Sequence, residues 1–333
     1  GGEMNAHTTK DRTVFHITFP DMYFDQAMDI LSDCLFHTVM TNEKIEKEKS
    51  IVIEEENNIK NDLVDMTDNK LDNLMFKVHP LGRDPIGDKK STINFTLDGT
   101  RRFKNKFYRP DNMIISVCSK LSYNKVYKCI DKYFGKYKNP NKKLCIKFPT
   151  EVCQKTPRIA IFKEYSRQYT LGVGFKTFGI EHADIYILDV FNTLMGGIYG
   201  SILFMDLREK NELVYSVDSN IDLRKDYGTF TVYIEVDKDN FYEVLERIVS
   251  IIRRIQKDGI DKKKFNDVKK TIKRNILNKE EEILDEAITN ATNYMYFNHL
   301  ITDKERINKY NKVSLVDIKK LARETFNLDT INI

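Results

Sequence analysis

The feature that most constrains this chain is that it runs through one order of elements twice. Residues 13–20 alternate apolar and polar side chains as a strand with one buried face does. Phe24, Met28, Leu31, Leu35 and Val39 then recur at helical spacing, and a long charged helix over residues 42–75 follows, opened by Thr41 and Asn42. The same succession returns in the second half. Residues 228–237 alternate, Phe241, Leu245, Ile248 and Ile252 mark a helix, and Asp261 caps a second long charged helix. An internal repeat of this size sets the architecture, because each copy must bury the apolar face of its own sheet.

The repeat supplies the organisation. In the first copy a turn-rich segment spans 79–87, followed by a helix over 98–107, a strand over 112–118 and a helix over 123–134. The second copy ends in a helix over 314–326 and a closing strand over 329–333. Pro140, Pro149 and Pro157, set among lysines, read as a linker. The expected division is a first domain over 1–138, a linker over 139–157 and a second domain over 158–333. The fold class is α+β, with two homologous domains, each a mostly antiparallel sheet covered by helices on one face. The second copy has two strands and a helix ahead of its 228–237 strand, whereas almost nothing precedes 13–20. By the repeat's own arithmetic, about 60 residues holding strand, strand and helix are expected ahead of Gly1.

Charge and cysteine usage narrow the function. A net charge of +4, spread over short runs of mixed sign, is too dilute for a nucleic-acid partner, and no basic stripe interleaves with aromatics. No apolar run approaches the ~20 residues of a membrane span. Cys34, Cys118, Cys129, Cys145 and Cys153 are odd in number and show no C-x-x-C spacing. They read as reduced, mostly buried thiols of a reducing compartment, the cytoplasm or a mitochondrial matrix.

A series of short motifs then falls in a particular order. The run from Gly1 through Asn5, Ala6 and His7 to Thr8 resembles the Gly-x-x-x-Asn-Ala-x-Thr strand of insulinase/pitrilysin metallopeptidases. Glu48 and Glu55 resemble that family's Glu-x6-Glu helix, and His79-Pro80-Leu81-Gly82 with Gly87 its His-Pro-x-Gly turn. Tyr108, Pro110, Asn112 and Met113 resemble a Tyr-x-Pro-x-Asn-Met step. Gly196, Gly197, Gly200 and Ser201 resemble its glycine-rich loop, and Leu207-Arg208-Glu209 with Tyr215-Ser216 its Leu-Arg-Glu…Tyr-Ser segment. Together these cover nearly the whole chain, and the mitochondrial-processing-peptidase branch is the most similar. The sequence departs from the pattern at Ile202, where Arg is common, and at Glu212, where Gly is common. It also lacks the inverted zinc motif His-x-x-Glu-His: no two of His7, His16, His37, His79, His182 and His299 are four apart.

The resemblance implies a zinc endopeptidase acting on peptides or presequences in a cavity enclosed by two homologous domains. Glu48 and Glu55, two helical turns apart, point the same way. On spacing alone such a pair reads as a solvated helix face. The resemblance instead makes Glu55 the third ligand of one Zn2+ per complete chain, with Glu48 orienting a histidine ligand from behind. In the repeat, Val268 and Asn275 stand near the matching positions, so only the first half carries metal. Asn5 and Ala6 become an edge strand for an extended peptide, where otherwise they read as an ordinary strand. Arg208 and Tyr215 become contacts to the bound peptide, where otherwise they read as a surface arginine and a strand tyrosine. Gly196 and Gly197 become a substrate-contact loop, with a plain helix cap as the alternative. His79, in a proline-flanked turn, is read as structural rather than a metal ligand. With its histidine pair absent, the 333-residue chain is expected to bind zinc weakly and to name no catalytic base of its own. Members of the family occur as monomers, homodimers and heterodimers, so a homo- or heterodimer is an open expectation. The rival reading is a non-catalytic member serving as a peptide-binding or scaffold subunit of a processing-peptidase-like complex.

Overall fold

The computed structural model describes residues 1–140, 144–162, 168–278 and 283–333. It is α+β and forms two compact units. The described residues within 1–58, 84–148 and 280–300 make the first, and those within 59–83, 149–279 and 301–333 the second. Residues 141–143 of the expected linker lie outside the described residues.

In the first unit, β1 (Glu3–Thr8) and β2 (Thr13–Thr18) form an antiparallel hairpin in the register Asn5↔His16 and Ala6↔Phe15. The turn is closed by Thr9 N–H donating to the Arg12 carbonyl at 2.8 Å. Helix α1 (Phe24–Phe36) buries Phe24, Ala27 and Met28 against Cys129 of α6 (Tyr123–Phe134), with Ile17 and Phe19 closing the cluster. The Ser32 hydroxyl donates to the Tyr133 carbonyl at 3.0 Å, tying the two helices together. Helix α10 (Ile283–Phe297) returns to this unit, where the Tyr296 hydroxyl donates to the Asp11 carboxylate.

The second unit is built on the antiparallel sheet β3 (Tyr169–Phe178), β5 (Tyr227–Val236), β4 (Val214–Leu223), in that order. Side chains alternate across a strand. Leu171, Val173 and Phe175 of β3 and Phe230, Val232 and Ile234 of β5 are therefore buried together on one face. That face is covered by α7 (Ile185–Met195), α8 (Phe241–Asp258) and α12 (Leu315–Thr325). Phe326 sits at the centre, stacked on Phe191 and edge-on to Phe230 and Phe175. On the opposite face, α3 (Leu63–Met75) approaches β3 closely at two glycines. A Cβ on Gly172 would come within 2.7 Å of Thr67, and one on Gly174 within 3.0 Å of Leu71 and Met75. At the sheet edge, Asn332 exchanges backbone hydrogen bonds with Gly174, and residues 331 and 333 pair in parallel with 158 and 160.

The expected elements recur with local corrections. The helix read over 42–75 is two helices, α2 (Asn42–Asn61) and α3, because Asp62 leaves helical geometry and caps α3 by accepting from Val64 and Asp65. Residues 113–118 are not a strand, since their backbone finds no ladder partner among the described residues. The closing strand is reduced to residues around Asn332, because Asn327 caps a 3-10 turn over Leu328–Thr330. The cysteines are all free thiols, but only Cys129 is buried. Cys34 lies on the outer side of α1, and Cys145 and Cys153 are exposed in extended segments without regular structure. Both cap expectations hold, with Thr41 Oγ1 accepting from Lys44 and Asp261 accepting from Lys264 at the start of α9 (Lys262–Leu277). No helix among the described residues is long and apolar enough to cross a membrane.

Candidate functional site

Helix α2 carries the carboxylates. Glu48 and Glu55 are both exposed, and among the described residues neither has a hydrogen bond or ion pair, although Lys49 pairs with Glu46 on the same helix. Glu56, one position on, is buried instead. The helix thus turns one glutamate inward and leaves Glu48 and Glu55, seven residues apart, outward on a common stripe. A free carboxylate oxygen is a suitable zinc donor, and Glu55 fits as one ligand. A catalytic zinc needs three protein ligands. No group of three or more His, Cys, Asp or Glu side chains stands ready to hold a metal among the described residues. In the second unit, Val268 of α9 is buried in the core.

Asn5 and Ala6 lie on β1, whose residues are all exposed and whose only ladder among the described residues is with β2. The Asn5 side chain folds forward so that its Oδ1 accepts the Ala6 N–H at 2.8 Å. That amide is therefore not spent on the ladder, and it is held by a side chain that can rotate away. His7 and His16 lie diagonally across the hairpin, their rings tilted with centroids 6.1 Å apart.

The other candidates belong to the second unit, and three of its segments converge. Helix α7 ends at Gly196, which is buried beside β4, where a Cβ would come within 2.6 Å of the Ser219 backbone nitrogen. Gly196 is thus the helix cap that lets the loop leave close to the strand, and the Ser219 hydroxyl fastens it by donating to Asn192 Oδ1 at 2.7 Å. Gly197 is exposed, and Gly200 has φ +84°, in the left-handed region. Between them Tyr199 is 85% exposed.

A π-helical turn, Phe204–Lys210, follows the loop and presents Arg208 at the surface. The Arg208 guanidinium lies 5.3 Å from the Phe204 ring centroid, and the Tyr199 ring meets the same Phe204 edge-on at 5.3 Å. The glycine loop and Arg208 are therefore brought together through Phe204, a residue the sequence reading did not single out. Its position four residues before Arg208 was the available signal. Asp206 of the same turn is occupied by Arg247, at 3.2 Å. The chain leaves the turn through Glu212, at φ +51°, the position where the sequence departs from a family glycine.

Tyr215 is the extra residue of a β-bulge. Val214 pairs with Val236 and Ser216 with Glu235, leaving Tyr215 without a cross-strand partner and 55% exposed. A bulge re-aims the side chain it carries. The turn holding Arg208 and the strand holding Tyr215 pack against each other.

The His79 turn is a buried structural node of the second unit. His79 Nδ1 accepts the Leu81 N–H at 3.2 Å, which places the proton of a neutral ring on Nε2, 3.7 Å from Asp226. Gly82 is needed because a Cβ there would meet the Phe76 carbonyl oxygen at 2.2 Å. Glu151 holds the turn from outside it, accepting the backbone N–H groups of Lys77, Val78 and His79. Burial pushes the Glu151 carboxyl up, but those donors together with Lys176 outweigh it and leave the group below the usual carboxylate range.

Residues 1–89 match the family described as insulinase (peptidase family M16), and residues 94–272 match the peptidase M16 inactive domain. The chain is similar to an uncharacterized zinc protease of Bacillus subtilis, YmxG, with 30% identity over 329 residues, 99% of this chain and 79% of that protein. An uncharacterized zinc protease of Rickettsia felis is 24% identical over 98% of this chain and 78% of that protein. In fold, it is similar to a protease from Helicobacter pylori, with a TM-score of 0.92 and 23% identity over 100% of this chain and 81% of that one. A chain of complex III from Candida albicans has a TM-score of 0.80 at 14% identity, over 100% of this chain and 81% of that one. The first match carries Glu48 and Glu55, the second carries the glycine loop, Arg208 and Tyr215, and the chain belongs to the peptidase M16, or insulinase, family.

Proposed function

We propose that the full-length protein is a zinc endopeptidase, with Glu55 as one metal ligand and the remaining two, together with the general base, supplied by residues outside this chain. The observation that carries the reading is the free, outward pair Glu48 and Glu55, seven residues apart on one helix of mixed glutamate and lysine, in a family whose members similar to this chain are named zinc proteases. Bound zinc would supply a Lewis acid and an acidified water. Glu48, one stripe position behind Glu55, orients a histidine ligand.

The chain's own residues bind and orient the peptide. An extended substrate adds to the free edge of β1, displacing the Asn5 side chain from the Ala6 N–H, and the small Ala6 admits the substrate backbone. In the second unit, Arg208 and the Tyr215 hydroxyl, aimed by its bulge, donate to carbonyl oxygens of a bound peptide. Flexibility at Gly197 and Gly200 lets the loop bearing Tyr199 follow the peptide. In this reading the linker over 139–157 joins domains over 1–138 and 158–333.

A second reading is favoured by the description of the 94–272 match as an inactive domain. In it the protein binds peptides without cutting them, as one subunit of a larger assembly. Incubating the full-length protein with a fluorogenic peptide, with and without 1,10-phenanthroline, separates the two. Cleavage abolished by the chelator and restored by zinc supports the endopeptidase. Tight peptide binding with no cleavage at any zinc concentration supports the binding subunit.

A further inference from the structure

Arg208 is an exposed arginine whose charge is left unspent. Among the described residues no carboxylate lies within ion-pair distance of it. Asp206, of the same turn, is bound by Arg247 at 3.2 Å, and Arg247 also holds Glu243 at 2.9 Å. What Arg208 does touch is the Phe204 ring, at 5.3 Å. Phe204 is half-buried and packs against the core of the second unit, so the ring is anchored from below. Tyr199, from the glycine loop, meets it edge-on. A guanidinium over a ring face is attracted by the ring quadrupole, yet keeps all its N–H donors, because the ring consumes none of them. An ion pair would hold the side chain equally well but would use those donors.

We propose that Phe204 is a positioning residue for Arg208: its anchored ring holds the guanidinium in place with the hydrogen-bond donors free for a peptide carbonyl or carboxylate. Tyr199 completes the platform and ties the position of Arg208 to that of the glycine loop. The inference rests on the peptide-binding role proposed for Arg208, and adds to it the reason a long, flexible side chain is ready before the peptide arrives. Pre-ordering lowers the entropy lost on binding, so the effect falls on affinity.

The test is binding of fluorescein-labelled oxidised insulin B chain to the full-length protein, followed by anisotropy. Phe204→Leu keeps an apolar side chain of similar reach and removes the ring. It is expected to weaken binding about two- to fivefold, the scale of an exposed cation–π pair. Phe204→Tyr restores wild-type affinity, and Phe204→Leu has no further effect in an Arg208→Gln background. Equal affinity of Phe204→Leu and wild type, or the same loss in the Arg208→Gln background, overturns the proposal while leaving the peptide-binding reading standing. Wild-type protein that binds no peptide overturns both. Should Phe204→Leu not fold, the wild-type Arg208 Hε resonance, assigned through Arg208→Gln, decides: an upfield ring-current shift is expected, and a free-arginine position contradicts the platform.

Discussion

The Glu151 carboxylate accepts the backbone N–H of His79 at 2.8 Å, and so holds the turn that closes α3 to the segment entering the second sheet. With Val78 and Lys77 donating at 2.8 and 3.0 Å, one side chain satisfies three successive amides, the bond to His79 buried and the other two partly buried. Glu151→Ala is expected to destabilise the second unit by about 2–4 kcal/mol, since orphaned buried donors cost ~1–3 kcal/mol each. Urea unfolding followed by circular dichroism measures this.

The same contact carries a pH signature. The folded Glu151 carboxyl lies below its ordinary value, so the folded state holds its proton less tightly than the unfolded chain does. Its contribution is complete above the unfolded value of about 4.3 and is lost as pH falls through the lower folded value. Glu151→Gln, which cannot ionise, should show a flatter fall in stability across that acidic window than the wild type, and the same stability slope between pH 6 and 8, an interval set by the ordinary carboxylate range.

Gly196 is predicted to tolerate no side chain. An added Cβ would lie 2.6 Å from the Ser219 backbone nitrogen, and backbone cannot yield as a flexible side chain does. Gly196→Ala should cost about 1–3 kcal/mol, the range for overpacking. At exposed Gly197, where the close atoms lie 3.1 Å away or farther, Ala should cost less. Thermal melts of the two variants order them directly.

Glu212 is the converse case. At φ +51° a residue with a Cβ is strained, and glycine is not. Glu212→Gly should stabilise by roughly 0.5 kcal/mol, the left-handed cost less the entropy glycine loses on folding. Glu212→Ala, which keeps the Cβ, should give no such gain.

Much of this was legible in the sequence, for identifiable reasons. Alternation in 228–237 and the spacing of Ile248 and Ile252 reported a strand with one apolar face and the helix that covers that face, because burial imposes those periods. Asp62 was missed because Ile59, Leu63 and Met66 keep helical spacing across it, so the cap leaves the periodicity almost unchanged. Residues 113–118 show the limit of a strand pattern, which reports an extended, half-buried segment and not whether a partner pairs with it. The exposed thiols were misjudged because cysteine's usual burial is a preference of the residue, whereas Cys145 and Cys153 take the exposure of the irregular segment they occupy. At the candidate site, the resemblance to the family's motifs supplied Glu48, Glu55, Arg208 and Tyr215, which spacing alone reads as a solvated helix face, a surface arginine and a strand tyrosine. The bulge at Tyr215 and the ring under Arg208 depend on pairing and packing that spacing does not encode.

The central claim is that Glu55 is a zinc ligand. The most direct measurement is the zinc content and affinity of the full-length protein and its Glu55→Gln variant, by plasma mass spectrometry and competition with a chromogenic chelator. About one zinc per wild-type chain is expected, as a three-ligand catalytic site holds. Glu55→Gln should lose that zinc, and Glu48→Gln should bind it about 10- to 100-fold more weakly. Equal zinc affinity in wild type and Glu55→Gln would contradict the claim.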